Sequence, residues 1–264
     1  MKPSETDQKY LLSSVKNALR ILHSYTLAEP EKGIRELAGE LKLSKSSVQR
    51  LMSTLASEGF VTKDPDSQKY RLGTTILALS NIITSHLEIH KEAWPTLEQL
   101  VDRTGETAYI GILEGNKLVY MHRCESKRPV RFLVNIGKRI PCYCTSGGKA
   151  ILAFQESEVV DAIIREGLVP FTPKTIIDPE TLRRQLSDVR REGYAVSIGE
   201  FVEEEEFVSI GSPIRDFMGN VFASIFIVGP SYRIKPKTVP DIAREVINAA
   251  AEVSSNLGYR SMNR

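Results

Sequence analysis

The stretch from Gly33 to Phe60, GIRELAGELKLSKSSVQRLMSTLASEGF, constrains this chain more than any other. Ile34, Leu37, Ala38 and Leu41 fall at i, i+3, i+4 and i+7, and Val48, Leu51, Met52 and Leu55 repeat that spacing. Each set is the apolar stripe of an amphipathic helix. Lys42-Leu43-Ser44 joins the two, with Ser44 placed to cap the second. At about 100° per residue, Ser46, Gln49, Arg50, Ser53 and Ser57 gather opposite the second stripe. That flank has no carboxylate. Hydroxyls, an amide and a guanidinium suit base edges and phosphates in a major groove, where a helix-turn-helix lays its second helix. An ordinary solvated helix pair would show the same stripes, so the next segment matters.

Phe60–Lys63 has strand character, Asp64-Pro65-Asp66-Ser67 is a turn, and Lys69-Tyr70-Arg71-Leu72 alternates polar with apolar. The alternation predicts Tyr70 and Leu72 facing the core, with Lys69 and Arg71 on the other side, open to phosphates. A helix carrying Val15, Ala18, Leu19 and Leu22 on one stripe, and ending near Leu27, precedes the pair. Glu29–Gly33 reads as the loop between them. Residues 10–72 are thus expected to form a winged helix-turn-helix DNA-binding domain.

A chain of 264 residues exceeds one such domain, and 41% hydrophobic with 26% charged residues is the composition of a globular protein, so a second domain is expected. Residues 1–72 hold 12 Lys and Arg against 9 Asp and Glu, leaving 23 against 24 for the rest; positive charge leans towards the reading head. No segment approaches the roughly 18 consecutive apolar residues of a membrane span, and the N-terminus has no apolar signal core. With three cysteines, Cys124, Cys142 and Cys144, a cytoplasmic protein with reduced thiols is expected.

Gly73–Ser85, GTTILALSNIITS, is apolar on nearly every helical face, so 73–90 reads as a linker helix and a dimer contact, although an internal core helix would look the same. Pro95 fits the first position of a new helix, Pro95–Thr104, better than an interior one. From Thr107 the period changes to two. Ala108–Leu113 and Leu118–Met121 read as a hairpin, Val130–Ile136 as a third strand, and Tyr194–Val202, Phe207–Arg215 and Val221–Val228 as further strands. Ser157–Glu166, Pro179–Glu192 and Asp241–Leu257 read as helices. Residues 91–260 then make an α+β domain with a core of its own.

The segments IRELAGELKLSKSSVQRLMSTLASEGFV (34–61), YRLGTTILALS (70–80), RTGETAYIGILEG (103–115), VRFLVNIGKRIPCYCTSGGKAILA (130–153), REGYAV (191–196) and IGSPIRDFMGNVFASIFIVGPSYRI (210–234), in this order, resemble the isocitrate lyase regulator (IclR) family of bacterial transcriptional regulators. The resemblance implies a winged helix, a linker helix and a C-terminal GAF-like effector-binding domain. It also implies a homodimer or dimer of dimers on double-stranded operator DNA, and a small-molecule effector of the organic or aromatic carboxylate class. It implies no enzymatic activity and no cofactor. By position it carries DNA contacts to Lys45, Ser46, Ser47, Gln49, Arg50 and Ser53, with Lys69 and Arg71 on the wing. It carries the effector pocket to Phe132, Ile140, Cys144, Ser146, Gly147, Glu200, Ser209, Phe226 and Val228. Two departures stand out. Where the family commonly has an acidic pair after its GYAV-like segment, only Glu200 matches here. Phe226 and Val228 occupy positions where some members have small hydroxyl residues, which implies a bulkier, more apolar pocket wall.

Ser146-Gly147-Gly148 before a helix offers backbone N–H groups and a positive dipole end to an anion, although a plain turn and cap would use the same residues. Cys142 and Cys144 would share a face if Pro141–Thr145 were extended, and His122 and Cys124 repeat that spacing. A zinc site from these four is the weaker reading beside buried free thiols. Glu203–Glu206 reads as a solvated strand edge. Two rivals to the regulator are a metal- or thiol-dependent enzyme with an accessory winged helix, and a DNA-binding module whose second domain only oligomerises.

Overall fold

The computed structural model describes residues 12–26, 28–79, 88–129, 131–202 and 207–260, in two compact units that divide between His86 and Leu87. Glu203–Glu206 and the whole of 80–87, about half of the expected linker helix and dimer contact 73–90, lie outside the described residues.

In the N-terminal unit, α1 (Ser13–His23), α2 (Ile34–Leu41) and α3 (Lys45–Ser57) pack around Ile21, Leu37, Ala38, Leu41, Val48, Met52 and Leu55. The α2–α3 turn pivots on Lys42, which caps α2 in the left-handed region at φ 55°. Ser44 then caps α3, its Oγ accepting from the Ser47 amide at 3.1 Å. Behind α3, β2 (Val61–Lys63) and β3 (Tyr70–Leu72) form the expected hairpin. The Asp64 carboxylate accepts from the Asp66 and Ser67 amides in its turn, and these bonds hold its pKa below the usual value.

Several expectations are corrected here. Glu31–Lys32, expected as loop, is a short strand β1 pairing with Arg71 and Tyr70, so the wing sheet has the order β1-β3-β2. Tyr70 is buried as expected, but Leu72 is 42% exposed, because β3 ends there and Gly73 turns the chain away. The first helix stops at His23, and it buries Ile21, with Ala18 and Leu22 half-buried; Val15 and Leu19 point to solvent. Residues 75–79 are helical, with Leu77 and Leu79 exposed.

The second unit begins with α4 (Glu88–Thr104), which continues through Pro95 where a new helix was expected to start. An interior proline costs a helix about 3 kcal/mol. Burying Ile89, Leu97, Leu100 and Val101 on one continuous face contributes about 1.5–3 kcal/mol each, so packing outweighs the break. A six-stranded antiparallel sheet follows, built from β4 (Thr107–Glu114), β5 (Lys117–Cys124), β6 (Arg139–Pro141), β7 (Ala195–Ile198), β8 (Phe207–Arg215) and β9 (Val221–Pro230) in the order β6-β5-β4-β9-β8-β7. The third strand is therefore Arg139–Pro141 and not Val130–Ile136. Among the described residues of that segment, 131–135 make no ladder and are held by side chains instead. Tyr109 Oη donates to the Phe132 carbonyl at 2.7 Å and accepts from the Val134 amide at 3.1 Å.

The period of two sorts the sheet into layers. Ala108 and Ile110 of β4, Val208, Ile210 and Ile214 of β8, and Ala223, Ile225 and Ile227 of β9 pack against α4 and the closing helix α8 (Val239–Asn256). Tyr109, Phe226 and Val228 face the other way. They meet α5 (Ser146–Leu152), α6 (Ser157–Glu166) and α7 (Pro179–Glu192). A short turn of 3-10 helix, Cys142–Cys144, leads into α5, so Pro141–Thr145 is not extended and the two thiols do not share a strand face.

Candidate DNA-binding face and effector cavity

Because Val48, Met52 and Leu55 anchor α3 in the core, its outer flank is fixed in direction. Lys45, Ser46, Ser47, Gln49, Arg50 and Ser53 are all exposed on it. The Ser46 and Ser47 hydroxyls lie 3.0 and 2.8 Å from the Ser44 hydroxyl at the cap. The side chains of Lys45, Gln49 and Arg50 make no hydrogen bond or ion pair among the described residues. On the wing, Arg71 is likewise unengaged, whereas Lys69 is paired with Glu36 at 3.1 Å. Glu36 also accepts from the Gly33 amide at 2.7 Å; that bond first, and Lys69 second, hold its pKa below the usual carboxylate value.

In the C-terminal unit, a cavity of about 50 Å³ opens between β5, β7, β8, β9 and the residues that enter α5. Five of the nine pocket residues carried over from the sequence line it: Phe132, Cys144, Glu200, Ser209 and Val228. The other four do not. Ile140 is core, and Phe226 lies beneath the floor, stacked on Tyr109 at 5.4 Å and edge-on to Tyr120 at 5.3 Å. Ser146 is fully buried behind Ser209, the two hydroxyls hydrogen-bonded. Gly147 packs so closely under Phe226 that a Cβ there would stand 2.6 Å from the ring, and a Cβ on Gly148 would stand 2.1 Å from the Cys142 carbonyl oxygen. Gly211 of β8 lies across the Ser146–Gly147 peptide. The Gly148 amide is already taken by the Thr145 hydroxyl at 3.1 Å. The Ser-Gly-Gly run is therefore a seam of close packing between α5 and the sheet. The open anion cradle expected from it is corrected: all seven residues of α5 are buried.

Sequence reasoning missed Tyr120, Thr145, Ser197, Phe201 and Phe207 in the lining. Ser197 carried a usable signal, because it pairs in register with Ser209 across β7 and β8. Phe207, two residues before Ser209 on the same strand face, carried another; its ring meets Phe132 at 5.0 Å. Phe201 packs against Phe171 at 5.2 Å, a loop contact that no periodicity announces.

The charged member of this lining is Glu200. Its backbone carbonyl accepts from Thr175 Oγ1 at 2.6 Å, which fixes the turn after β7. Its Oε1 accepts from Lys149 Nζ at 2.6 Å in an ion pair that is 1% and 7% exposed, and Lys149 donates also to Gln185 Oε1 at 3.0 Å. Glu200 Oε2 has no hydrogen-bond partner among the described residues. The three cysteines are free thiols. Burial pushes the Cys142 thiol up to about 12 and raises Cys144 further, while Cys124 is raised less. None of them has the thiolate character of a nucleophile. Among the described residues no three His, Cys, Asp or Glu side chains converge as a metal site, and no helix is long and apolar enough to cross a membrane.

Residues 82–255 match the family model described as bacterial transcriptional regulator IclR C-terminal, and residues 14–65 match the IclR helix-turn-helix domain. The HTH-type transcriptional regulator XynR of Escherichia coli K12 is 28% identical over 251 residues, 94% of this chain and 98% of its own. The regulator KdgR of the same organism is 31% identical over 250 residues, 94% of each chain. The crystal structure of Thermotoga maritima IclR superposes with a TM-score of 0.79 at 28% identity, covering 93% of this chain and 99% of that one. An IclR homologue of Microbacterium hydrocarbonoxydans, solved in complex with 4-hydroxybenzoate, has a TM-score of 0.82 at 24% identity over 93% and 99% of the chains, a likeness of fold.

Proposed function

The chain belongs to the IclR family of bacterial transcriptional regulators, and from that premise we propose that it is an effector-controlled regulator that reads operator DNA with α3 and binds a small organic molecule in the C-terminal cavity. Its relatives are helix-turn-helix regulators and not enzymes. The observation that carries the DNA half is the exposed, carboxylate-free flank of α3, held outward by the buried Val48–Met52–Leu55 stripe. Ser46, Gln49, Arg50 and Ser53 meet base edges, while Lys45, Ser47 and the wing residue Arg71 position the helix on phosphates. Lys69 contributes once its pairing with Glu36 is exchanged for a phosphate, an exchange between exposed groups that costs little.

A two-fold homodimer fits this arrangement, with half-sites about one helical turn apart. Leu12, Val15 and Leu19 form an exposed apolar stripe on α1, which supports a subunit contact in the N-terminal unit. The aromatic lining of the cavity supports an effector of the aromatic carboxylate class, and 4-hydroxybenzoate, the ligand of the Microbacterium homologue, is the first compound to try. The effector controls DNA binding only insofar as it favours one arrangement of the dimer over another.

The test uses an operator selected from a random duplex pool by the full-length protein. Arg50→Ala is expected to weaken binding to it by about 1–3 kcal/mol at fixed salt, with the oligomeric state and melting temperature unchanged. Unaltered operator affinity removes Arg50, and with it the α3 reading. Thermal shift and displacement from the selected operator by 4-hydroxybenzoate test the effector half.

A further inference from the structure

The cavity's chemistry points to one feature of what it holds. Its lining contains no Lys, Arg or His. Of the cations nearby, Lys149 is 1% exposed and already donates to Glu200 Oε1 and Gln185 Oε1, and Lys174, beside Gly199, is engaged as well. The start of α5 is packed under Phe226 and Gly211 with its Gly148 amide held by the Thr145 cap, and Ser146, Gly147 and Gly148 do not line the cavity. Ser197 Oγ donates to the Cys144 carbonyl at 3.2 Å, and Ser209 is bonded to Ser146, so the two serine hydroxyls are engaged and the Tyr120 hydroxyl is the donor the lining keeps. The buried acceptor that stands unmatched is Glu200 Oε2, a residue of the cavity wall, with no partner among the described residues.

We propose that the effector presents a hydrogen-bond donor, a hydroxyl or an ammonium, to Glu200, and that this end of the cavity rejects a carboxylate. The inference rests on the reading of the cavity as the effector site and names the group recognised there. An unpaired buried acceptor destabilises the free protein, and a donor that reaches it recovers the loss as affinity. A carboxylate at the same place would set two acceptors of like charge together without a free cation. Where the effector is an acid, its carboxylate lies away from Glu200 and its hydroxyl lies against it. The aromatic side chains Tyr120, Phe132, Phe201 and Phe207 enclose the apolar body.

Benzyl alcohol, benzylamine and benzoate share one skeleton and differ at the polar end. Calorimetry and thermal shift on the native full-length chain are expected to show benzyl alcohol or benzylamine binding roughly tenfold more tightly than benzoate. Glu200→Gln offers a donor in place of the carboxylate, and it is expected to reverse that order. Since this variant leaves Lys149 without its ion-pair partner, Lys149→Met/Glu200→Gln is measured beside it; the comparison on the native chain needs no variant. Benzoate binding as tightly as the other two, no shift from any of the three at millimolar concentration, or the same order of preference in both variants overturns the proposal. A DNA-releasing effector whose affinity is indifferent to Phe132→Ala shows instead that the cavity is not the effector site. An effector that depends on Phe132 but not on Glu200 defeats this inference alone.

Discussion

Gly148 sits in a helix, where alanine is ordinarily the better residue, by about 1 kcal/mol. Here the added methyl would stand 2.1 Å from the Cys142 carbonyl oxygen, a backbone atom that cannot swing aside. Gly148→Ala is therefore expected to destabilise the C-terminal unit by more than the roughly 1–3 kcal/mol of ordinary overpacking, read as a fall in its urea midpoint at unchanged m. At this scale the sequence was legible where a residue's role is set by its chain neighbours. Ser44 as a cap and Tyr70 as a core residue both follow from local spacing. It was not legible where the role is set by what lies across the fold. A Ser-Gly-Gly run before a helix has one local appearance whether it cradles an anion or lets a phenyl ring approach, and only the Phe226 contact decides between them. Glu200 was found by position, yet its ion pair with Lys149, 51 residues away, is a tertiary fact.

Among elements, α3 and β9 were legible because a period of 3.6 or 2.0 shows directly in their side chains. Pro95 misled because a proline's local cost is visible in the sequence, while the burial of Ile89, Leu97 and Leu100 that overrides it is not. Pro95→Ala is accordingly expected to stabilise the protein, by about 1 kcal/mol and up to about 3, by restoring one backbone hydrogen bond inside α4. The check is a raised melting temperature with DNA affinity unchanged. The segment 131–135 misled in the opposite sense. Its apolar residues suggested a strand, but the Phe132 carbonyl and the Val134 amide are met by the Tyr109 hydroxyl, and the Val134 carbonyl by Arg123 at 3.0 Å. Side chains take the place of a sheet neighbour at those groups.

For the whole molecule, the exposed stripe Leu12–Val15–Leu19, left to water in the single chain, is where the proposed pairing of the N-terminal unit is tested. Leu19→Asp is expected to shift the protein towards monomer in light scattering and to weaken operator binding more than it lowers the melting temperature. An unchanged mass would place the subunit contact elsewhere. The two-layered use of β9 has a consequence of a different kind. Along ten consecutive residues, Ile225 and Ile227 hold the packing on α4 and α8, while Val228 lines the cavity and Phe226 packs beneath its floor. Mutation can explore the second pair while the first stays constant. A lineage can thus drift in what it senses without renegotiating the scaffold that does the sensing, and the alternation of a single strand keeps those two histories apart.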